Sequence, residues 1–173
     1  MHDRFNMSNA KEISAPLTSH FNLSIKQCLT SEKDKEYIRK ISYPLAVGSL
    51  MHAMVCTRPY IAHVIEVVSR YFSNHDKKHW NAVKWILRYL KETSKLCLCF
   101  SNGKTMLDEY TNADMTGDLN NRKFTSEYLM IFTREAVSWQ SKLQKYIVFS
   151  SMETEYIATT KTCKETFWLQ KFL

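Results

Sequence analysis

The apolar residues of this chain change period near residue 95, and that change constrains the fold more than any other feature. Between Tyr43 and Lys91 they recur at helical spacing. Ile61, Val64, Ile65, Val68 and Phe72 follow at intervals of three, one, three and four, which aligns them as one stripe of a helix. After the break Ser73-Asn74-His75-Asp76, Trp80, Val83, Leu87 and Leu90 form the stripe of another. Pro44 is suited to open a helix through Leu45, Leu50, Met51 and Met54, and Pro59 to open the next. From Lys95 the period becomes two: Leu96, Leu98 and Phe100 alternate with Cys97 and Cys99, and Asn102-Gly103 reads as a turn into a strand from Met106 to Asn112. Asp118 to Lys123 reads as a connecting loop, and further strands are expected at Ser126 to Phe132, Ala136 to Gln140 and Tyr146 to Phe149. Helices first and strands afterwards predict an α+β fold.

The two ends of the chain differ. Residues 1 to 43 are polar and irregular, with one short helix expected from Ser31 to Arg39 and Ser31 as its cap. The last element is a helix from Ser150 or Ser151 to Phe172, where Ser150 and Glu153 fit a capping box. Its row Met152, Tyr156, Cys163 and Phe167 is expected to lie across the sheet.

A chain of 173 residues with 45% apolar content supports one sizeable core or two small ones. Its apolar runs, such as Met54-Val55-Cys56 and Ile86-Leu87, are broken by charged residues well before the length of a membrane span. The first residues, Met1 to Asn6, hold no apolar stretch leading to a cleavage site, so a nuclear or cytoplasmic location is expected. Cys28, Cys56, Cys97, Cys99 and Cys163 lack a C-x-x-C pair and read as buried reduced thiols rather than as a zinc site. His20, His52, His63, His75 and His79 show no metal-ligand spacing either.

The net charge of +7 suits a polyanionic partner. Lys77, Lys84, Arg88 and Lys91 recur along one face of a single helix, which makes them the candidate nucleic-acid-binding residues. The alternative is an ordinary solvated helix face.

Several sequence words add to this pattern. Val47-Gly48-Ser49-Leu50-Met51, Thr57-Arg58-Pro59 with Ile61-Ala62, and the run His79 to Leu90 resemble the Pol polyprotein of Copia-type LTR retrotransposons of plants, in the stretch joining reverse transcriptase to RNase H. Tyr110-Thr111-Asn112-Ala113-Asp114, Asn121-Arg122-Lys123, Val137 to Lys142 and Ser150 to Ala158 resemble the RNase H half of the same polyprotein. The resemblance implies a helical reverse-transcriptase tail and connection-like region over 1–100, followed over 101–173 by a truncated RNase H-like sheet with one packed helix.

RNase H chemistry needs clustered acidic oxygens to hold two divalent ions. The resemblance matches the first acid to Asn112 and the second to Glu155, and Asp114 shares the strand face of Asn112. An amide brings an oxygen but no charge, so the catalytic set Asn112, Asp114 and Glu155 is degenerate. No cofactor is expected, with Mg²⁺ required only if RNase H activity remains. The family's polymerase carboxylates match no position here, and its later acids and flanking parallel strand are not found before Leu173. An open sheet edge of that kind calls for a homo-oligomer or a protein partner. Further departures from the family are Tyr60 for an acid, Glu127 and Glu135 for Gly, and Leu29 for Pro.

Three functions follow as expectations. The first is a catalytically inactive piece of Pol that binds RNA, DNA or their hybrid. A structural or protein-interaction module is the second. The third is a metal-dependent RNase H cutting RNA in hybrids, with a partner completing its site.

Overall fold

The computed structural model describes residues 3–5, 7, 9–18, 21, 23–24, 36, 41–100, 106–114, 123–145, 147–148 and 150–173. They divide between two compact units, Met1–Leu96 and Cys97–Leu173.

The first unit is built on three helices, α1 (Tyr43–Thr57), α2 (Ala62–Ser69) and α3 (Lys77–Glu92). Pro44 lies in the first turn of α1, and Pro59 opens a 3₁₀ turn, Pro59–Ile61, that leads into α2. The expected stripes of α2 and α3 both face inward. Ile61, Val64, Ile65 and Val68 meet Val83, Ile86, Leu87 and Leu90 in one buried cluster. For α1 the buried face is Tyr43, Ala46, Val47 and Leu50, while Leu45 is 40% exposed. The rotation is set by Tyr43, whose hydroxyl donates to the Val68 carbonyl at 2.8 Å and whose ring stacks on His75. Burying the ring with its hydroxyl paired outweighs burying Leu45.

Asp76 caps α3. Its carboxylate accepts from the amides of Lys78 (2.8 Å) and His79 (2.9 Å), and the Asp76 amide donates back to His79 Nδ1 at 3.0 Å. This is a capping box with histidine in the usual place of Glu or Gln. Segment 10–15 runs along the same helix, where the Trp85 indole donates to the Ala15 carbonyl at 2.9 Å.

In the second unit, β1 (Leu107–Asp114), β2 (Thr125–Phe132) and β3 (Glu135–Leu143) form an antiparallel sheet in the order β1-β2-β3. A two-residue turn, Thr133 and Arg134, joins β2 to β3. A bulge at Met130/Ile131 shifts the register, so that Met130 faces Ser138 and Ile131 faces Ala136. Helix α4 (Ser151–Leu169) packs on β1 and β2. Ser150 Oγ caps it by accepting from the Glu153 amide at 3.1 Å.

Several expectations are corrected. Residues 96–100 form no strand, because the 3₁₀ turn Thr93–Lys95 prolongs α3 and Arg58 takes up the Leu96 carbonyl at 2.7 Å. Cys56, Cys97, Cys99 and Cys163 are exposed rather than buried. Ile147 and Val148 are not in a strand, and β3 is the last strand among the described residues. The row Met152, Tyr156, Cys163 and Phe167 does not cover the sheet: its three large members are 79%, 75% and 67% exposed. The buried face of α4 is instead Thr154, Ala158, Thr162 and Thr166, spaced every four residues. Small side chains let the helix approach the sheet closely. The three threonine hydroxyls donate to the carbonyls of Ser150, Ala158 and Thr162, so their burial leaves no hydroxyl unpaired. The Asn102-Gly103 turn, most of the Asp118 to Lys123 loop, the outer residues of the Tyr146 to Phe149 strand, Cys28, His20, and all but Glu36 of the Ser31 to Arg39 helix lie outside the described residues. Among the described residues no helix is long and apolar enough to cross a membrane.

Candidate nucleic-acid interface and candidate metal site

Residues directly opposite one another in an antiparallel ladder share a face of the sheet. Thr111 stands opposite Tyr128, Ala113 opposite Ser126, and Met130 opposite Ser138. That face looks toward α4. Ser138 Oγ donates to Glu165 of α4 at 3.1 Å, and Gln144 Nε2 donates both to Ser126 Oγ (2.6 Å) and to the Thr154 carbonyl of α4 (3.2 Å). The unbroken alternation of β1 therefore puts Asn112 and Asp114 together on the opposite face. Asn112 pairs there with Glu127, which in turn faces Ser141.

Glu155 is exposed in the first turns of α4. A cleft of about 180 Å³ opens where this part of the helix meets the sheet, lined by Thr111, Asn112, Ala113, Glu155, Ala158 and Thr159. Asn112 and Glu155 both border this cleft, although the alternation turns the Asn112 side chain to the face away from α4, and half-buried Asp114 lies outside the lining. Among the described residues Glu155 is the only carboxylate in that lining. Among the described residues no group of three or more His, Cys, Asp or Glu is placed to hold a metal ion. One carboxylate, with a neutral amide turned to the other face of the sheet, does not fit a pair of magnesium ions, which take oxygen ligands dominated by carboxylate charge.

Glu127 was not among the candidate residues, although it stands beside Asn112 in the ladder. Its Oε1 accepts from Ser141 Oγ at 2.8 Å. The register that pairs it with Asn112 belongs to the β1–β2 ladder, and the connection between those strands, residues 115–124, is too long for a two-residue hairpin pair in the sequence to fix it.

The four candidate cations of α3 divide into two sets. Lys77 is exposed in the first turn and Lys84 is half-buried. Arg88 Nε donates to the Lys11 carbonyl at 2.5 Å, and its guanidinium lies over the Trp85 ring. Lys91 Nζ donates to the Ala10 carbonyl at 3.0 Å and lies 4.0 Å from Glu12. Arg88 and Lys91 thereby hold segment 10–15 against the helix, which the spacing of the charges alone does not reveal.

A second basic cluster lies in the other unit. Lys142, Lys145 and Lys161 line a cleft of about 200 Å³ between the end of β3 and α4, with Gln144 and Ile157 among the lining residues. Burial, and then the charges of Lys142 and Lys145, hold the Lys161 ammonium below its usual pKa. Sequence periodicity missed this cluster because its members come from separate elements.

Arg58 forms a clamp in the first unit. It donates to the Tyr60 hydroxyl and to the Leu96 carbonyl, both at 2.7 Å, so Tyr60 serves as an uncharged acceptor for it. Cys97 and Cys99 bring their sulfurs to 3.3 Å in the second unit, and the contact with Cys97 pushes up the Cys99 thiol pKa.

The comparisons agree with the sequence words. Over 171 residues, 99% of the chain, it is 55% identical to the retrovirus-related Pol polyprotein from transposon TNT 1-94 of Nicotiana tabacum. It is 39% identical to secreted RxLR effector protein 161 of Plasmopara viticola over 133 residues, 76% of this chain and 94% of that protein. It is 33% identical to the Pol polyprotein from transposon RE2 of Arabidopsis thaliana over 98% of its own length. The chain spans 13% of the tobacco polyprotein and 11% of the Arabidopsis one. It matches no protein-family model and no solved structure. Similarity sustained across nearly every residue of the chain places it in the family of Ty1/copia-type retrotransposon Pol polyproteins.

Proposed function

We propose that this chain corresponds to the reverse-transcriptase connection and RNase H-like stretch of a Copia-type Pol, with the first over 1–100 and the second over 101–173. In this reading it binds RNA, DNA or their hybrid, in the nucleus or cytoplasm, without cutting them. The observation that carries the reading is a cleft bordered by Asn112 in which Glu155 is the one carboxylate among the described residues. The succession of three antiparallel strands and a helix on β1 and β2 supports the RNase H-like assignment. The net charge of +7 supports the polyanionic partner. Because the donor set does not fit a magnesium pair, no hydrolytic step is assigned to these residues.

The test is a labelled RNA–DNA hybrid incubated with the full chain, with and without Mg²⁺. Binding that weakens with salt and leaves the RNA intact is the expected result. Mg²⁺-dependent cutting that disappears in Glu155→Gln would replace this reading with the RNase H one.

A specific observation favours a second reading, a protein-interaction module whose partner is another copy of the chain. The exposed row 152, 156, 163, 167 has intervals of four, seven and four, which read the same in both directions. A two-fold interface requires that if residue i meets j, then j meets i. An antiparallel α4 pair crossing between Thr159 and Thr160 places Met152 on Phe167 and Tyr156 on Cys163. The same symmetry brings exposed Glu153 within a turn of Lys164 on the same flank of the other helix. Sedimentation of the parent chain as a dimer, weakened by Phe167→Glu, is the expected result. A monomer at every concentration removes the second reading.

A further inference from the structure

We infer that the cleft formed by Lys142, Lys145 and Lys161 is a phosphate-binding site for the backbone of a nucleic acid. This inference deepens the nucleic-acid reading above and rests on it.

The three lysines reach one place from three positions: near the end of β3, just beyond it, and the middle of α4. Lys123 joins them, because its Nζ donates to the Lys145 carbonyl at 3.0 Å. Among the described residues none of these four ammonium groups is ion-paired with a carboxylate. Like charges gathered in this way repel one another: burial first, and then the charges of Lys142 and Lys145, lower the pKa of Lys161. An anion in the cleft converts that repulsion into attraction.

The floor of the cleft is braced by hydrogen bonds. Gln144 is buried, its amide donates to Ser126 Oγ and to the Thr154 carbonyl, and its backbone N–H donates to the Phe124 carbonyl at 2.8 Å. The lysines are thus mounted on a braced junction of sheet and helix, which lowers the cost of holding an anion in place. A volume of about 200 Å³ suits one charged group better than a drug-sized molecule. Lys142 and Lys145 are exposed while Lys161 is half-buried, so positive charge continues outward from the cleft. That arrangement matches a chain of phosphates entering with one group seated, rather than a compact free anion. The α3 stripe is a weaker candidate, since Arg88 and Lys91 are engaged with backbone carbonyls.

The experiment follows the anisotropy of a labelled RNA–DNA hybrid with the full chain across a salt series. The parent, Lys142→Gln/Lys161→Gln and Lys77→Gln/Lys84→Gln are compared, and circular dichroism checks that each is folded. Removing two mutually repelling charges is expected to leave stability unchanged or raised, so unfolding would not mimic lost binding. The first double variant is expected to bind about tenfold more weakly at low salt, with a salt slope shallower by about one to two. Lys142→Arg/Lys161→Arg is expected to retain binding. Parent-like affinity and slope in Lys142→Gln/Lys161→Gln overturn the site while leaving the nucleic-acid reading intact. Loss confined to Lys77→Gln/Lys84→Gln does the same and moves the contact to α3. No binding by the parent sinks both the site and the reading. Inorganic phosphate serves as the second arm. If it perturbs the Gln144 and Lys161 resonances while the Gln double variant still binds hybrid normally, the cleft is a site for free phosphate and the nucleic-acid assignment fails.

Discussion

Asn112 on β1 stands directly opposite Glu127 on β2, and Glu127 Oε1 accepts a hydrogen bond from Ser141 on β3. An amide at this position meets a carboxylate without repulsion. Restoring an acid there with Asn112→Asp places two like charges across the ladder, which destabilises a sheet by roughly 0.2–1 kcal/mol. The expected result is a small loss of stability in the second unit at neutral pH, read from faster amide exchange in β1 and β2. Glu127→Gln in the same chain is expected to remove the loss. An equal effect in the presence and absence of Glu127 would show that the two side chains do not interact.

The turn between β2 and β3 is occupied by Thr133 and Arg134 at φ of 51° and 71°. Two left-handed residues in a two-residue hairpin match a type I′ turn, where Asn-Gly is the preferred pair. A β-branched residue is especially poor there, and each left-handed non-glycine residue costs roughly 1–2 kcal/mol. Thr133→Asn/Arg134→Gly is therefore expected to stabilise the hairpin by about 1–2 kcal/mol. Slower exchange of the β2 and β3 amides, with no change in α1 to α3, is the measurement. Unchanged or faster exchange would count against this turn geometry.

What could be read from the sequence follows from what periodicity measures. It located the inward stripes of α2 and α3, because Ile61, Val64, Ile65, Val68, Val83 and Leu87 are large and repeat on one side. The spans of β2 and β3 were legible to within a few residues for the same reason. It misplaced the buried face of α4 because Thr154, Ala158, Thr162 and Thr166 carry almost no hydrophobic signal, yet pack closely by being small. Which side of α1 faces inward was not legible, because a single hydroxyl, that of Tyr43, decides its rotation and leaves Leu45 exposed. At the candidate site, the resemblance to the family, and not periodicity, related Asn112 to Glu155. The pairing with Glu127 was not legible, since the β1–β2 register is set across the connection 115–124, which is too long for a short-hairpin signal to mark. The lysine cleft was hidden because it joins positions on different elements.

His79 gives the first unit a pH dependence. Burial holds its pKa below the ordinary value of about 6.5, against the opposing pull of Asp76. A folded-state pKa below the unfolded one means that the unfolded chain binds the proton more readily. The stability that comes from keeping His79 neutral is present above the unfolded pKa and is lost as pH falls toward and through the folded one. His79→Gln keeps an acceptor for the Asp76 amide but does not titrate. Its urea midpoint, followed through the α3 amides, is expected to fall less than the parent's between pH 7 and pH 5. Parallel curves would show that His79 does not govern the acid sensitivity of the unit.

Arg88 and Lys91 are expected to act on the chain's own N-terminal segment rather than on a nucleic acid. Both donate charge-assisted hydrogen bonds to carbonyls of residues 10 and 11, and bonds of this kind contribute about 1–3 kcal/mol, nearer the lower end where solvent competes. Arg88→Gln also gives up the guanidinium over Trp85, the ring whose N–H anchors Ala15. The double variant Arg88→Gln/Lys91→Gln should loosen residues 10–15, so limited proteolysis between Ala10 and Thr18 is expected to speed up severalfold while α2 stays protected. If these cations bound phosphates instead, the double variant would leave cleavage unchanged and make the salt slope of hybrid binding shallower by nearly two. The two readouts move independently, so one pair of substitutions separates a structural brace from a binding stripe.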